Sequence, residues 1–173
     1  MRLAGIVPES FIDGPGLRFV IFTQGCIHKC PYCHNTETWD LNAGQEFTVK
    51  EVLRIIKTHK KNKQGITFSG GEPFLHAAQL CEIAASVRQM GWNVVTYTGF
   101  TYEQLMYGET NFHPDKIDKT GMKELIALTD YLIDGKFVNE LKDLSLKFRG
   151  SSNQRIIDVA ASLASNHVVN ADF

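Results

Sequence analysis

The stretch Leu17-Arg18-Phe19-Val20-Ile21-Phe22-Thr23-Gln24-Gly25-Cys26 decides the architecture of this chain. A nearly continuous apolar run of this length suits a strand covered on both faces, and it delivers the backbone directly to Gly25-Cys26. The loop that follows, Cys26-Ile27-His28-Lys29-Cys30-Pro31-Tyr32-Cys33-His34-Asn35, carries three cysteines in C-x3-C-x2-C spacing. Three thiolates on one short loop hold three irons of a 4Fe-4S cube, whereas electron-carrying clusters of this type use four. One iron is left open, and an open iron is a place where a small molecule is bound and reduced. The loop reads as a catalytic centre at the end of a strand.

The alternative is structural zinc, with His34 completing a Cys3His set. Structural zinc usually draws ligand pairs from two separated segments, and no second Cys or His pair of that spacing follows. Cys81 sits beside Leu80 and Ile83 in a stretch of helical period and reads as a buried small apolar residue.

Downstream, Val49, Val52, Leu53 and Ile56 recur at helical spacing, with Thr48 and Glu51 placed as a capping box. A strand over Gly65 to Phe68 leads into Ser69-Gly70-Gly71-Glu72-Pro73, and a second helix with Leu80, Ile83, Val87 and Met90 inward stops at Gly91. Asn93 to Tyr97 reads as a strand, Thr101 to Met106 as a short helix opened by Thr101 and Gln104, Met122 to Leu128 as a helix, and Tyr131 to Ile133 as a strand. Gly108 to Gly121 has little periodicity and reads as an irregular loop. After Arg149-Gly150-Ser151-Ser152-Asn153-Gln154 a helix is expected through Ile156, Ile157, Ala160 and Leu163, and Asn166 to Phe173 are expected to fray.

Alternating strands and helices imply right-handed crossovers and an α/β fold with a parallel sheet. Functional loops then lie at the carboxyl ends of the strands, where the cysteine loop and the Gly-Gly loop both fall. A full eight-unit barrel takes about 250 residues, so an open partial (β/α) barrel with one side uncovered is expected.

The 173 residues are 43% hydrophobic and 21% charged, the balance of one domain over residues 1–173. A formal net charge of -1 gives no general attraction to nucleic acid or acidic lipid. No apolar stretch reaches the roughly 18 residues of a membrane span, and the N-terminus lacks a basic segment followed by an apolar run, so a cytoplasmic location is expected. Three of the four cysteines crowd together, which favours metal binding in a reducing compartment over a disulfide scaffold.

The C-x3-C-x2-C triplet, with Tyr32 before its last cysteine, resembles the signature of the radical S-adenosylmethionine enzymes. The resemblance implies one 4Fe-4S cluster held by Cys26, Cys30 and Cys33. Its open iron is chelated by the amino and carboxylate groups of S-adenosylmethionine, and reduction cleaves the sulfonium to methionine and a 5'-deoxyadenosyl radical. Ser69-Gly70-Gly71-Glu72-Pro73 is similar to the family's Gly-Gly-Glu motif, whose backbone receives the amino group of the cofactor. By the same resemblance Tyr32, Cys33 and His34 wrap the adenine. Asp134 and Lys136 match an Asp-x-Lys pair beside the cofactor, where the lysine pairs with the carboxylate; the bland alternative is a surface ion pair of little energetic worth.

Within that superfamily Ile12-Asp13-Gly14-Pro15-Gly16-Leu17-Arg18 resembles the activating enzymes of glycyl-radical proteins, in which such a segment holds the backbone of the target glycine loop. Asp13 and Arg18 offer one acceptor and one forked donor to peptide groups, although Asp-Gly also serves in simple turns. Tyr131 to Asp143 and Arg149 to Gln154 look closest to the group that acts on anaerobic ribonucleoside-triphosphate reductase. The implied partners are that reductase and a low-potential electron donor such as flavodoxin. An activator of another glycyl-radical protein, such as pyruvate formate-lyase, is the alternative partner reading. No side chain is required as an acid or base. Replacing Cys81 is expected to leave iron bound, whereas Cys30→Ala is expected to abolish 5'-deoxyadenosine formation in a chromatographic assay of the reduced protein.

Overall fold

The structure is a computed structural model in which residues 1–108 and 121–172 are described. The irregular loop expected between Gly108 and Gly121 thus falls almost wholly outside the described residues. One sheet organises the rest, in the order β3-β1-β2-β4-β5-β6-β7. Its strands are β1 (Arg2–Ser10), β2 (Arg18–Thr23), β3 (Gln45–Glu46), β4 (Gly65–Gly70), β5 (Asn93–Tyr97), β6 (Tyr131–Asp134) and β7 (Arg155–Asp158). The central four, β2, β4, β5 and β6, run parallel. The outer pairings are antiparallel. The two edge strands do not pair with each other, so the barrel is open as expected.

The helices are α1 (Val49–Thr58), α2 (Ala77–Arg88), α3 (Tyr102–Tyr107), α4 (Met122–Leu128) and α5 (Val159–Ser165). Both expected capping boxes form: Thr48 with Glu51 opens α1 and Thr101 with Gln104 opens α3. Each satisfies two amides that would otherwise lack partners. On the helix-covered face, Phe19 and Ile21 of β2 join Ile66, Phe68, Val94, Leu132 and Ile157 in one core with Val52, Ile56, Leu80, Ile83, Leu125 and Ile126 from the helices. The alternate residues Val95, Ile133 and Ile156 form a smaller cluster on the opposite face, with Tyr97, Tyr131, Phe148 and Ala171 packed against it. That division follows from the two-residue period of a strand.

One strand comes from a segment for which no element was expected, and two local expectations are corrected. First, β1 arises from a segment whose Gly5 and Pro8 hide any strand signal. Antiparallel pairing to β2 with two register shifts accommodates it, and β3 pairs only with Arg2 and Leu3, so Pro8 lies beyond that partner. Second, Arg155 to Asp158 is a strand, not the first turn of a helix, and the helix begins only at Val159. Adjacent Ile156 and Ile157 fit either period; pairing with Ile133 and Leu132 puts them on opposite faces, each in a different core cluster. Third, the segment expected to fray is paired where it is described, with Phe173 outside the described residues: Asp158 N–H donates to Val169 O at 2.9 Å and Ala171 N–H to Ile156 O at 2.8 Å, laying residues 169–171 along β7.

Arg155 binds β6, β7 and α3 together. Its guanidinium donates to both oxygens of Asp134, which is 1% exposed, and forms a two-pronged pair with Glu103 at 3.0 and 2.8 Å. Asp134 also caps α3 by accepting the Tyr102 N–H at 2.8 Å. Arg155→Met strands a buried carboxylate and is expected to cost roughly 3 kcal/mol in urea unfolding. The Arg155 hydrogen bond holds the Glu103 carboxyl down at about 2, against an ordinary 4.5. Its stabilisation is therefore complete above the ordinary value and lost as pH falls toward 2, an acid dependence that circular dichroism should find reduced in Arg155→Met.

Candidate iron-sulfur and cofactor site

The loops leaving β2, β4, β5 and β6 meet at one end of the parallel sheet. Gly70 leaves β4 with φ +94°, and a Cβ there would fall 2.6 Å from the Thr23 backbone. A Cβ on Gly71 would fall 2.2 Å from Gly25 O. Glycine is required at both positions because backbone meets backbone. The contact is sealed by the Gly71 N–H to Thr23 O and the Glu72 N–H to Gly25 O, both 2.8 Å. The Gly-Gly turn is thus stitched to the residues immediately before Cys26.

Glu72 is fully buried. It accepts from Phe74 N–H at 3.0 Å, Thr98 Oγ1 at 2.9 Å and Gly99 N–H at 2.9 Å. It also meets His28 Nε2 at 2.7 Å. An ionised carboxylate only accepts, so His28 Nε2 donates to it. The His28 ring lies where a Gly99 side chain would stand, with Cδ2 2.3 Å from an added Cβ, and meets Phe100 edge-on at 4.6 Å. One carboxylate therefore locks the loops after β2, β4 and β5. Glu72, expected beside the cofactor, acts on that region by holding its walls. His28, Thr98 and Gly99 were not singled out from sequence; the only signal was a histidine inside the cysteine loop, without its partner.

The three cysteines of the triplet are free and half-buried. Burial pushes the Cys26 thiol up to about 11, opposed by the backbone N–H groups of His28 and Lys29 directed at its sulfur. Burial also raises Cys30, opposed by the Phe137 N–H and the Lys136 charge. Cys33 Sγ accepts the Asn35 N–H at 3.4 Å. Positive φ at Lys29 (47°) and Tyr32 (60°) winds the loop around these sulfurs. The backbone donor at Cys33 suits a thiolate that carries iron, whose charge such a bond stabilises. Among the described residues no three His, Cys, Asp or Glu side chains stand close enough to hold a single metal ion, and His34 is exposed. Cys81 is 5% exposed within the main core, as expected, with Sγ donating to Gly121 O at 3.4 Å.

Of the other expected site residues, Tyr32 (76% exposed) and His34 lie open on the cysteine loop. Lys136 is near enough to Cys30 for its charge to act there. Asp134 is neither a surface ion pair nor a group turned toward a ligand: its carboxylate is spent on Arg155 and α3.

Asp13 belongs to the loop that enters β2 and Arg18 opens that strand, and this loop lies over the sheet: the Asp13 carbonyl meets Thr67 of β4, and the Asp13 charge acts on Tyr97 at the carboxyl end of β5. Arg18 is fully buried. It donates to Thr67 Oγ1 at 2.6 Å, Pro15 O at 2.9 Å and Asn93 Oδ1 at 2.7 Å, and also to Ile66 O. Burial lowers it to about 10, which leaves it charged at neutral pH. The expectation that Arg18 offers its fork to a peptide is therefore corrected: the fork is consumed in anchoring the Asp-Gly-Pro-Gly loop. Asp13 accepts from Ser10 Oγ at 2.5 Å, and its carbonyl accepts from Thr67 Oγ1 at 2.7 Å.

Residues 12–157 match the 4Fe-4S single cluster domain family. The chain is 35% identical over 162 residues to the anaerobic ribonucleoside-triphosphate reductase-activating protein of Salmonella typhi, covering 89% of this chain and 96% of that one. It is 34% identical over 155 residues to the protein of the same name from Escherichia coli (strain K12), covering 85% and 92%. The pyruvate formate-lyase 1-activating enzyme of the same strain is 31% identical over 162 residues, covering 91% of this chain but 60% of that enzyme. With its cysteine loop, Gly-Gly turn and near full-length similarity, the chain belongs to the family of anaerobic ribonucleoside-triphosphate reductase-activating proteins, within the radical S-adenosylmethionine enzymes.

Proposed function

We propose that this protein installs the glycyl radical of an anaerobic ribonucleoside-triphosphate reductase, using S-adenosylmethionine bound at a 4Fe-4S cluster. When bound, the cluster and cofactor supply one electron and a carbon radical able to take a hydrogen atom from glycine. The chain's own residues bind, orient and exclude water. Cys26, Cys30 and Cys33 hold three cluster corners and leave the fourth for the amino and carboxylate groups of the cofactor. Gly70 and Gly71 offer backbone carbonyls to the amino group, while the Gly71 N–H is committed to Thr23 O. Lys136 supplies the positive charge for the carboxylate. Tyr32, Cys33 and His34 form the adenine wall, while Glu72 and Asp134 keep their loops in place from behind.

Asp13 remains the peptide acceptor in this reading, and Arg18 contributes by keeping the loop rigid. Hydrogen transfer needs the glycine near van der Waals contact with the acceptor carbon, so an open sheet that admits a loop suits the task. Among the described residues no helix is long and apolar enough to cross a membrane, which agrees with a cytoplasmic enzyme supplied by a low-potential donor such as flavodoxin. The observation that carries the reading is the three-cysteine loop at the carboxyl end of β2, where the Asn35 N–H donates to Cys33 Sγ, while the fourth cysteine is packed into the main core.

Pyruvate formate-lyase activation is the second reading, supported by the 31% match. Near full-length correspondence to the reductase activators, 96% against 60%, favours the first. The anaerobically reconstituted protein is expected to carry about four irons, and to raise a glycyl radical signal in electron paramagnetic resonance with the ribonucleotide reductase. A signal with pyruvate formate-lyase alone would select the other partner. Colourless zinc-bound protein would refute both.

A further inference from the structure

With the Arg18 fork consumed inside the protein, the expected peptide site keeps its acceptor, Asp13, but lacks the donor expected beside it. A tyrosine stands where that donor is needed. A Cβ on Gly14 would fall 3.4 Å from Val95 Cγ2, and Thr67 Oγ1 donates to Asp13 O at 2.7 Å. The Asp-Gly-Pro-Gly loop therefore rests on the face of β4 and β5 opposite the helices. Tyr97 follows Val95 by two residues, on the same face and about 7 Å nearer the carboxyl end of the strand. Its ring packs against the cluster of Val95, Ile133 and Ile156. Phe68 pairs with Thr96, so the next step along both strands brings Tyr97 level with Ser69, the residue before Gly70. Tyr97 thus lies between the loop that carries Asp13 and the Gly-Gly turn.

The position is firmly set. Tyr97 pairs with Ile133 of β6, the Thr98 N–H donates to Ile133 O at 2.9 Å, and Thr98 Oγ1 and the Gly99 N–H both donate to Glu72. Tyr97 is only partly buried, and among the described residues none bonds its hydroxyl. Burial, reinforced by the Asp13 charge, pushes the phenol up, so at neutral pH it keeps its proton and can donate. A target glycine has no side chain to recognise, and a site must grip the main chain around it. We propose that Tyr97 binds the substrate peptide: its hydroxyl donates to a main-chain carbonyl of the entering glycine loop while Asp13 accepts a neighbouring N–H. The inference deepens, and rests on, the reading that this protein activates a glycyl-radical reductase.

The test compares Tyr97→Phe with the wild type, both full-length and anaerobically reconstituted, in activating the anaerobic ribonucleoside-triphosphate reductase, with the glycyl radical followed by electron paramagnetic resonance. Phenylalanine keeps the ring in its cluster and removes only the donor. Loss of one neutral hydrogen bond is expected to lower kcat/KM for the reductase about three- to tenfold, with the Kd for S-adenosylmethionine at the wild-type value. An unchanged kcat/KM overturns the proposal. So does an equal weakening of S-adenosylmethionine binding, which makes Tyr97 a wall of the cofactor site instead. Failure of this nearly isosteric variant to fold also overturns it, because the hydroxyl is then structural. A wild-type protein that raises no radical on the reductase defeats the underlying reading, and so the two failures are distinguishable.

Discussion

The arrangement depends on a fully buried carboxylate. Removing a charge from water is costly unless hydrogen bonds replace the lost hydration, and Glu72 satisfies this with donors from its own turn, from Thr98 and Gly99 after β5, and from His28 within the cysteine loop. The same bonds that make the buried charge tolerable dictate where three loops stand relative to one another. The Gly-Gly turn adds a second constraint, because only residues lacking Cβ let its backbone rest on Thr23 and Gly25. The cysteine loop is consequently held at its root by backbone contact and in its middle by His28.

Arg18, Asp134 and Glu72 share a pattern. Each is a charged residue that family resemblance places at a working surface, and each is found turned inward with its polar atoms committed to protein. Their motifs are constrained by function at one remove: the charge shapes a loop, and the loop meets the ligand. The backbone amide at Cys33 extends the same economy, since a main-chain group contributes to the electrostatic setting for iron without a dedicated side chain.

Much of the fold was legible because it is locally encoded. The capping boxes at Thr48 and Thr101, the apolar run entering Gly25-Cys26 and the cysteine spacing are all written within a few consecutive residues. What escaped reading is non-local. Ile156 and Ile157 become strand residues only through pairing with β6, and β1 only through pairing with β2 across its irregularities. The burial of Arg18 contradicts the usual preference of arginine for the surface, and nothing nearby in sequence reveals that Thr67 and Asn93 await it. The His28 to Glu72 contact spans 44 positions, so the cysteine motif could be recognised while its main support could not.

An unclosed sheet retains two borders, and a bare border is a template on which another chain can pair and aggregate. Here one border strand is only Gln45–Glu46, ending in a charge and covering just Arg2 and Leu3 of β1. The other is sheathed where Val169 and Ala171 bond back to β7. One margin is thus sheathed, while on the other the length of β1 beyond Leu3 stays open, interrupted by Pro8, which has no N–H to offer a partner.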